Sequence, residues 1–381
     1  MESEKGKIGS QTVLPPVLLY AHPSMEMLAK KIVSTCTEYT LAGEISDVRS
    51  SCSQECSSPE IMNDNSQNDS QGTSLCGLTS SLAAKRSRRI KRQVQLRKTI
   101  NWGSFDDGFP NIFISDVKYM AGKDVIFLGS FHSPEIIFEQ LSVLYMFPRY
   151  RARSFHFLLP YFPTGTMERV ENEGEIPTAK TLASLMSHIP FTTKGPAQIT
   201  IFDIHALQER FYFTDTVIPR LESAIPLVKL ELENVFGSNN YTVAFPDDGA
   251  CKRFQRYFPN ADTIICNKTR NGSKRIVQIK DGNPKGKSVI IIDDLVLTGG
   301  TLKECGRILL QHGAISISAY VTHAVFPKDS WKNFVDSDIF DNFWITDSIP
   351  HALQLAQHKP FKLLSLCDAI ADCLLGYDLL P

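Results

Sequence analysis

The segment 288–313 holds the densest chemistry in this sequence. Four branched aliphatics, Val289 to Ile292, run into the paired acids Asp293 and Asp294. Then come Leu295-Val296-Leu297, the turn Thr298-Gly299-Gly300-Thr301, and an amphipathic stretch closed by Gly313. An aliphatic run of this kind makes a strand buried on both faces. Glycines let the following turn bring backbone N–H groups close to a ligand, and a helix start adds unpaired donors and a positive dipole end. That is a phosphate site. Two carboxylates just upstream suit a pair of sugar hydroxyls or a cation held by them. The loop therefore fits a phosphorylated ribose, with Asp293 and Asp294 at the ring diol and Thr298, Gly299, Gly300 and Thr301 at the 5-phosphate. A lone Thr-Gly-Gly-Thr would equally be a Gly-rich turn beside solvent-facing acids; the order strand, acids, glycines, helix speaks for the ligand. No Gly-Lys-Ser/Thr follows the glycines, so a Walker A loop is excluded.

Three more segments place polar residues at the ends of apolar runs. In Phe202-Asp203-Ile204-His205 the acid and the imidazole are two apart, a spacing that turns both to one cleft on a strand end. Such a pair suits Mg²⁺, with the imidazole a secondary partner because Mg²⁺ prefers oxygen. Phe245-Pro246-Asp247-Asp248-Gly249 closes a strand and opens a helix, for which Asp248 is a natural N-cap. Cys266-Asn267-Lys268-Thr269-Arg270 ends a strand and enters a hydrophilic loop, 269–274, with Lys268 and Arg270 as paired cations or plain surface charges.

These segments sit in a regular alternation. Strand-like runs are expected at 14–20, 111–115, 124–129, 155–160 and 197–203, and again at 241–245, 261–266, 288–293 and 315–322. Helical spacing falls at 24–36, 134–146, 178–187, 249–257 and 300–312. Alternation predicts an α/β fold of largely parallel sheets flanked by helices, with ligands beyond the carboxyl ends of the strands. At 381 residues, two domains are expected, 13–215 and 216–381, and the last helix is free to return to the first.

With 40 basic and 41 acidic side chains the chain is nearly neutral, which argues against a nucleic-acid or membrane-surface binder. No apolar run reaches the roughly 20 residues that span a bilayer. The opening MESEKGKIGSQTV lacks a basic-then-apolar leader pattern, and nine cysteines form no ladder, so a cytoplasmic protein is expected. One insertion departs from this balance. Residues 43–81 are rich in Ser, Asn, Gln and Asp without a Phe, Trp or Tyr, and a basic run from Lys85 to Lys98 follows. The segment 43–92 is read as a disordered insertion whose basic run is a solvated flank, and Cys52 and Cys56 lack a second pair to complete a zinc site.

The run from Val289 to Leu302 resembles the phosphoribosyl-pyrophosphate (PRPP) loop of type I phosphoribosyltransferases and ribose-phosphate diphosphokinases. The Asp-x-His, Pro-Asp-x-Gly and Lys-x-Arg segments resemble motifs of the diphosphokinases alone. Two N-terminal segments join them. Phe105-Asp106-Asp107-Gly108-Phe109 is similar to a nucleotide segment in which an acid usually stands at Phe109. Leu159-Pro160-Tyr161-Phe162 leads to Arg169 where the family has its ATP loop. As a set these look like the plant-type class II branch, over 13–42 and 94–378. The resemblance implies two tandem phosphoribosyltransferase-like domains and transfer of the diphosphoryl group of ATP to ribose 5-phosphate, giving PRPP and AMP. It further implies Mg²⁺ at Asp203, His205 and Asp247, and Lys268 and Arg270 on the moving diphosphoryl group. Phe105, Asp107, Phe109 and Arg169 hold ATP, homo-oligomers form through the N-terminal domain, and no phosphate activator is required. Leu297 stands where the ribose loop often carries a third acid, which keeps open a catalytically weak, regulatory subunit. A phosphoribosyltransferase acting on a base explains the loop but not the nucleotide motifs.

Overall fold

The computed structural model describes residues 15–38, 92–237, 240–271, 274–335 and 337–377. The insertion expected at 43–92 lies outside the described residues except for Arg92, and so do Cys52 and Cys56. In the first half, β1 (Val17–Ala21), β2 (Val94–Arg97), β5 (Asp124–Leu128), β6 (Ser154–Leu158), β7 (Ala197–Phe202) and β8 (Val217–Glu222) form one parallel sheet. Its order is β2-β1-β5-β6-β7-β8. An antiparallel hairpin, β3 (Ile100–Ser104) and β4 (Pro110–Ile114), stands apart from it. The second half adds β9 (Thr242–Phe245), β10 (Asp262–Asn271), β11 (Lys274–Asp281), β12 (Ser288–Val296), β13 (Ser316–Ala324), β14 (Asn342–Thr346) and β15 (Phe361–Leu364). Their order is β11-β10-β9-β12-β13-β14-β15, with only the β10–β11 pair antiparallel. The expected α/β class of largely parallel sheets is what forms.

Both sheets are covered on both faces, as parallel sheets require. Val289, Ile290, Ile291 and Ile292 of β12 are all buried: helix Gly300–Gln311 lays Leu302, Cys305 and Leu309 against Val289 and Ile291 at helical spacing, while Ile290 and Ile292 pack on the other face with Phe245 and Phe254. In the first half, one face is rich in phenylalanine (Phe127, Phe147, Phe155, Phe157). The other is closed by helix 26–38 and by Leu366, Ile370, Ala371 and Leu374 at the chain's last helix, Cys367–Tyr377. The last helix thus packs on the first sheet. β8 also belongs there, so the first sheet runs past the boundary expected at 215/216. The basic run does not end as a solvated flank. Arg92 is buried and pairs with Asp124 at 2.5 Å, and Arg97 reaches Asp116 at 2.6 Å from β2, which the sequence did not reveal.

Candidate active site

A cleft of about 990 Å³ opens between the halves. Thr166, Glu168, Arg169 and His205 line it from the first half. Asp247, Arg253, Asp293, Asp294 and the turn Thr298–Thr301 line it from the second. Its floor is the place where the second sheet reverses its strand order, between β9 and β12. That is where open α/β sheets bind ligands, because the loops leaving the two strands diverge there.

The turn after β12 is shaped by Gly299. Its φ of 75° is left-handed, and a Cβ there would lie 2.2 Å from Phe334 Cζ. Gly299 precedes helix Gly300–Gln311 and offers no side-chain cap, so the first N–H groups of the helix stand at the cleft. Asp293 and Asp294 alternate on β12 and meet different surroundings. Asp293 stays partly open to the cleft. Burial, and the charge of Asp294 beside it, push its carboxyl well above the usual range. Asp294 is only 2% exposed; its Oδ2 meets His205 Nδ1 at 2.7 Å and its Oδ1 meets an Arg253 nitrogen at 2.6 Å. Burial alone would raise its carboxyl too, but the two bases outweigh burial and hold it well below. The same bond raises the His205 imidazole against its own burial.

Asp203 does not join this group. The strand ends at Phe202, and Asp203 takes a left-handed φ of 38°, which breaks the alternation that would have turned it beside His205. Its carboxylate points into the junction between the halves. There it accepts from Ser223 Oγ (2.6 Å), Ala224 N (2.9 Å) and Thr322 Oγ1 (2.7 Å). A buried carboxylate with three donors is a structural knot, and it does not line the cleft. Asp247 does line it, and it also takes the N-cap expected of Asp248, accepting from Ala250 N at 2.9 Å. Asp248 pairs instead with Lys280 at 2.8 Å.

Lys268 and Arg270 are not on a loop. β10 continues through both, opposite Val277 and Arg275 of β11, and their side chains lie outside the described residues. Arg169 reaches the cleft with Glu168 (3.3 Å) and Glu171 (3.8 Å) beside it. Phe105, Asp107 and Phe109 sit at the exposed turn of the β3–β4 hairpin and do not line the cleft of their own chain.

Comparison with known proteins follows the same division. The phosphoribosyl transferase domain family matches residues 234–353, the segment that carries Asp247, Asp293 and the glycine turn. The ribose-phosphate pyrophosphokinase 4 of Oryza sativa subsp. japonica is 52% identical over 284 residues, 73% of this chain and 87% of that protein. The chain belongs to the ribose-phosphate pyrophosphokinase family. The chloroplastic ribose-phosphate pyrophosphokinase 3 of Arabidopsis thaliana is 51% identical (74% and 70% covered), and a mitochondrial form from Spinacia oleracea is 50% identical (74% and 71%). The crystal structure of phosphoribosylpyrophosphate synthetase from Mycobacterium smegmatis shares the fold. Its TM-score is 0.69 at 17% identity, covering 94% of this chain and 97% of that one.

Within this ribose-phosphate pyrophosphokinase framework, sequence reasoning missed Arg253, Glu168 and Glu209. Arg253 sits in the last turn of helix Asp248–Phe254, where a basic residue ordinarily serves only the helix dipole. Here its guanidinium reaches Asp294 and also donates to the carbonyls of Ile204 (3.1 Å) and His205 (2.6 Å). Glu209 is fully buried beneath the turn, accepts from Ala206 N at 3.0 Å, and burial lifts its carboxyl to about 7. Gly165 passes so close above that a Cβ would lie 3.3 Å from His205 Cβ. The contacts of Arg253 with Ile204, His205 and Asp294, and of Gly165 with His205, have no local signal, since each joins segments far apart in the chain; the Glu209–Ala206 contact is local, a capping-box spacing that passed unread.

Proposed function

We propose that the chain transfers the diphosphoryl group of ATP to the anomeric hydroxyl of ribose 5-phosphate, giving PRPP and AMP. The supporting observation is the uncapped helix start at Thr298–Thr301, opening with Asp293 onto a cleft that residues of both halves enclose. In this reading the turn holds the 5-phosphate and Asp293 the ribose diol. Arg169, Lys268 and Arg270 supply positive charge to the phosphates. Transfer of this kind depends on alignment and charge neutralisation more than on a covalent nucleophile.

Among the described residues, no three His, Cys, Asp or Glu side chains form a metal cage. That fits Mg²⁺ held chiefly by substrate phosphates, with one or two carboxylates from the protein. Asp293 and Asp247 are the oxygen donors that suit it. Asp203 already accepts from three donors away from the cleft, whereas His205, with Nδ1 on Asp294, keeps Nε2 on the cleft side as a secondary partner. Bound with ATP, the metal lowers the charge on the phosphate oxygens.

The hairpin assigned to ATP, with Phe105, Asp107 and Phe109, is exposed together with Phe113 and Phe138. This supports a homo-oligomer in which the N-terminal half meets a neighbouring copy. The partners of the reading are ATP and ribose 5-phosphate. No described helix is long and apolar enough to cross a membrane. The reading keeps the cytoplasm as compartment on the strength of the buried cysteines Cys251 and Cys266, which stand as thiols, although relatives carry chloroplastic and mitochondrial names. Purified protein given Mg-ATP and ribose 5-phosphate is expected to release AMP and PRPP in equal amounts. No AMP at any pH would overturn the assignment.

A further inference from the structure

We propose that Asp294 and Arg253 are positioning residues that hold His205 against the cleft from across the junction between the halves. Asp294 was expected at the ribose diol together with Asp293. Its carboxylate instead lies almost wholly inside the protein, one oxygen on His205 Nδ1 and the other on Arg253. The diol contact falls to Asp293. Arg253 grips the other end of the same residue, because one of its nitrogens donates to the backbone carbonyls of Ile204 and His205. The imidazole is thus fixed by its ring and by its main chain, and both contacts come from the second half. The ring itself remains about one-third exposed, on the cleft side.

The arrangement needs the fork of an arginine. One of its nitrogens meets the carboxylate and another meets both carbonyls, a spread of donors in fixed directions that a single ammonium nitrogen does not reproduce. The Phe254 ring, 4.7 Å from the guanidinium carbon, stacks beneath it and limits its swing. With Nδ1 committed to Asp294, His205 offers Nε2 to whatever the cleft holds, in the tautomer a carboxylate partner selects. A misplacement of about 1 Å at such a group costs on the order of 10²-fold in rate.

This inference rests on the proposed diphosphoryl transfer, and the test separates the two. Arg253→Lys keeps the charge and loses the fork; Asp294→Asn keeps the shape and loses the charge. Each is expected to lower kcat about 100-fold while KM for ribose 5-phosphate stays within about threefold, since neither residue is placed on the sugar. The double variant is expected to be no worse than the poorer single, as for residues acting as one unit. Nitrogen NMR of the resting protein reads the positioning without turnover: the His205 ring signals report protonated Nδ1 in the parent and change in both variants. Thermal melting confirms that each variant is folded. The inference falls if Arg253→Lys retains parental kcat, if the ring signals do not change, or if melting drops with kcat intact. A parent protein that makes no AMP removes the proposed reaction, and the ring signals still decide whether Asp294 and Arg253 hold His205.

Discussion

Each sheet reverses its strand order once, between β1 and β5 in the first half and between β9 and β12 in the second. Both reversals are followed by a strand–loop–helix, and only one is open. After β5, Gln140 turns back from its helix. It accepts from Ser130 N at 3.0 Å and donates to Ser130 O at 2.8 Å, so the loop's backbone is satisfied from inside. His22 joins β1 to the same place, bonded to Glu139 at 2.8 Å and packed against Trp102. After β12, no side chain among the described residues caps the helix start, whose donors face the cleft. The same architecture therefore becomes a packed junction or a binding site according to what fills the loop.

The sharpest way to break this contrast is at Gly299. Gly299→Ala would force a left-handed alanine into Phe334, combining about 1–2 kcal/mol of backbone strain with about 1–3 kcal/mol of overpacking. If the turn carries that whole cost into substrate binding, at about 1.4 kcal/mol per tenfold, kcat/KM for ribose 5-phosphate is expected to fall by about 30-fold to about 4,000-fold. Gly300→Ala meets nothing within 4 Å and is expected to leave the fold intact. Equal effects of the two alanines would deny that the shape of this turn matters.

The closed counterpart fails in a different currency. Gln140 is fully buried, and Gln140→Ala strands the donor and acceptor of Ser130. Urea titration should show a loss of about 2–6 kcal/mol, from two unsatisfied groups at about 1–3 each. KM for ribose 5-phosphate should not move. A rise in KM with unchanged stability would mean that the first junction also binds substrate.

Much of this was legible in the sequence where the signal is local. The run from β12 through the glycine turn into helix Gly300–Gln311 reads directly, because burial, turn and helix start follow one another in the chain. The edge strands did not read so easily. β2 carries Arg97 and follows Arg92, two charges that satisfy themselves on Asp116 and Asp124 and so look solvated in one dimension. Asp203 was expected at the metal, and Arg253 was passed over, for the same reason. A carboxylate that accepts from Thr322 and a guanidinium that reaches Ile204 and His205 are products of the junction between halves, which no spacing rule encodes.

The segment that carries His205 to the cleft buries a carboxyl of its own, Glu209. Burial raises its carboxyl to about 7, so folding favours the protonated form. Its contribution is complete below about pH 4.5 and is lost as pH rises through about 7, up to about 3 kcal/mol. Glu209→Gln keeps an acceptor for Ala206 N and removes the titration. Its melting temperature is expected to exceed the parent's at pH 8 and to match it near pH 5. A parallel pair of melting curves across that range would show that Glu209 is not held neutral.

The smallest effect is expected at Leu297, on the rim of the open loop. Its side chain is 42% exposed, and only its carbonyl is engaged, accepting from Ser330 Oγ at 3.1 Å. An acid placed there meets solvent, so Leu297→Asp should change stability by no more than about 0.5 kcal/mol. The cleft already brings Asp293 and Asp247 together, and those carboxylates suit a phosphate-bound Mg²⁺ without a third. Turnover is therefore expected to shift by less than about tenfold, with any gain appearing as a lower Mg²⁺ requirement. A rise of several hundredfold would reverse the reading of the parent: it would mark the native loop as disabled by its leucine and the chain as a regulatory subunit.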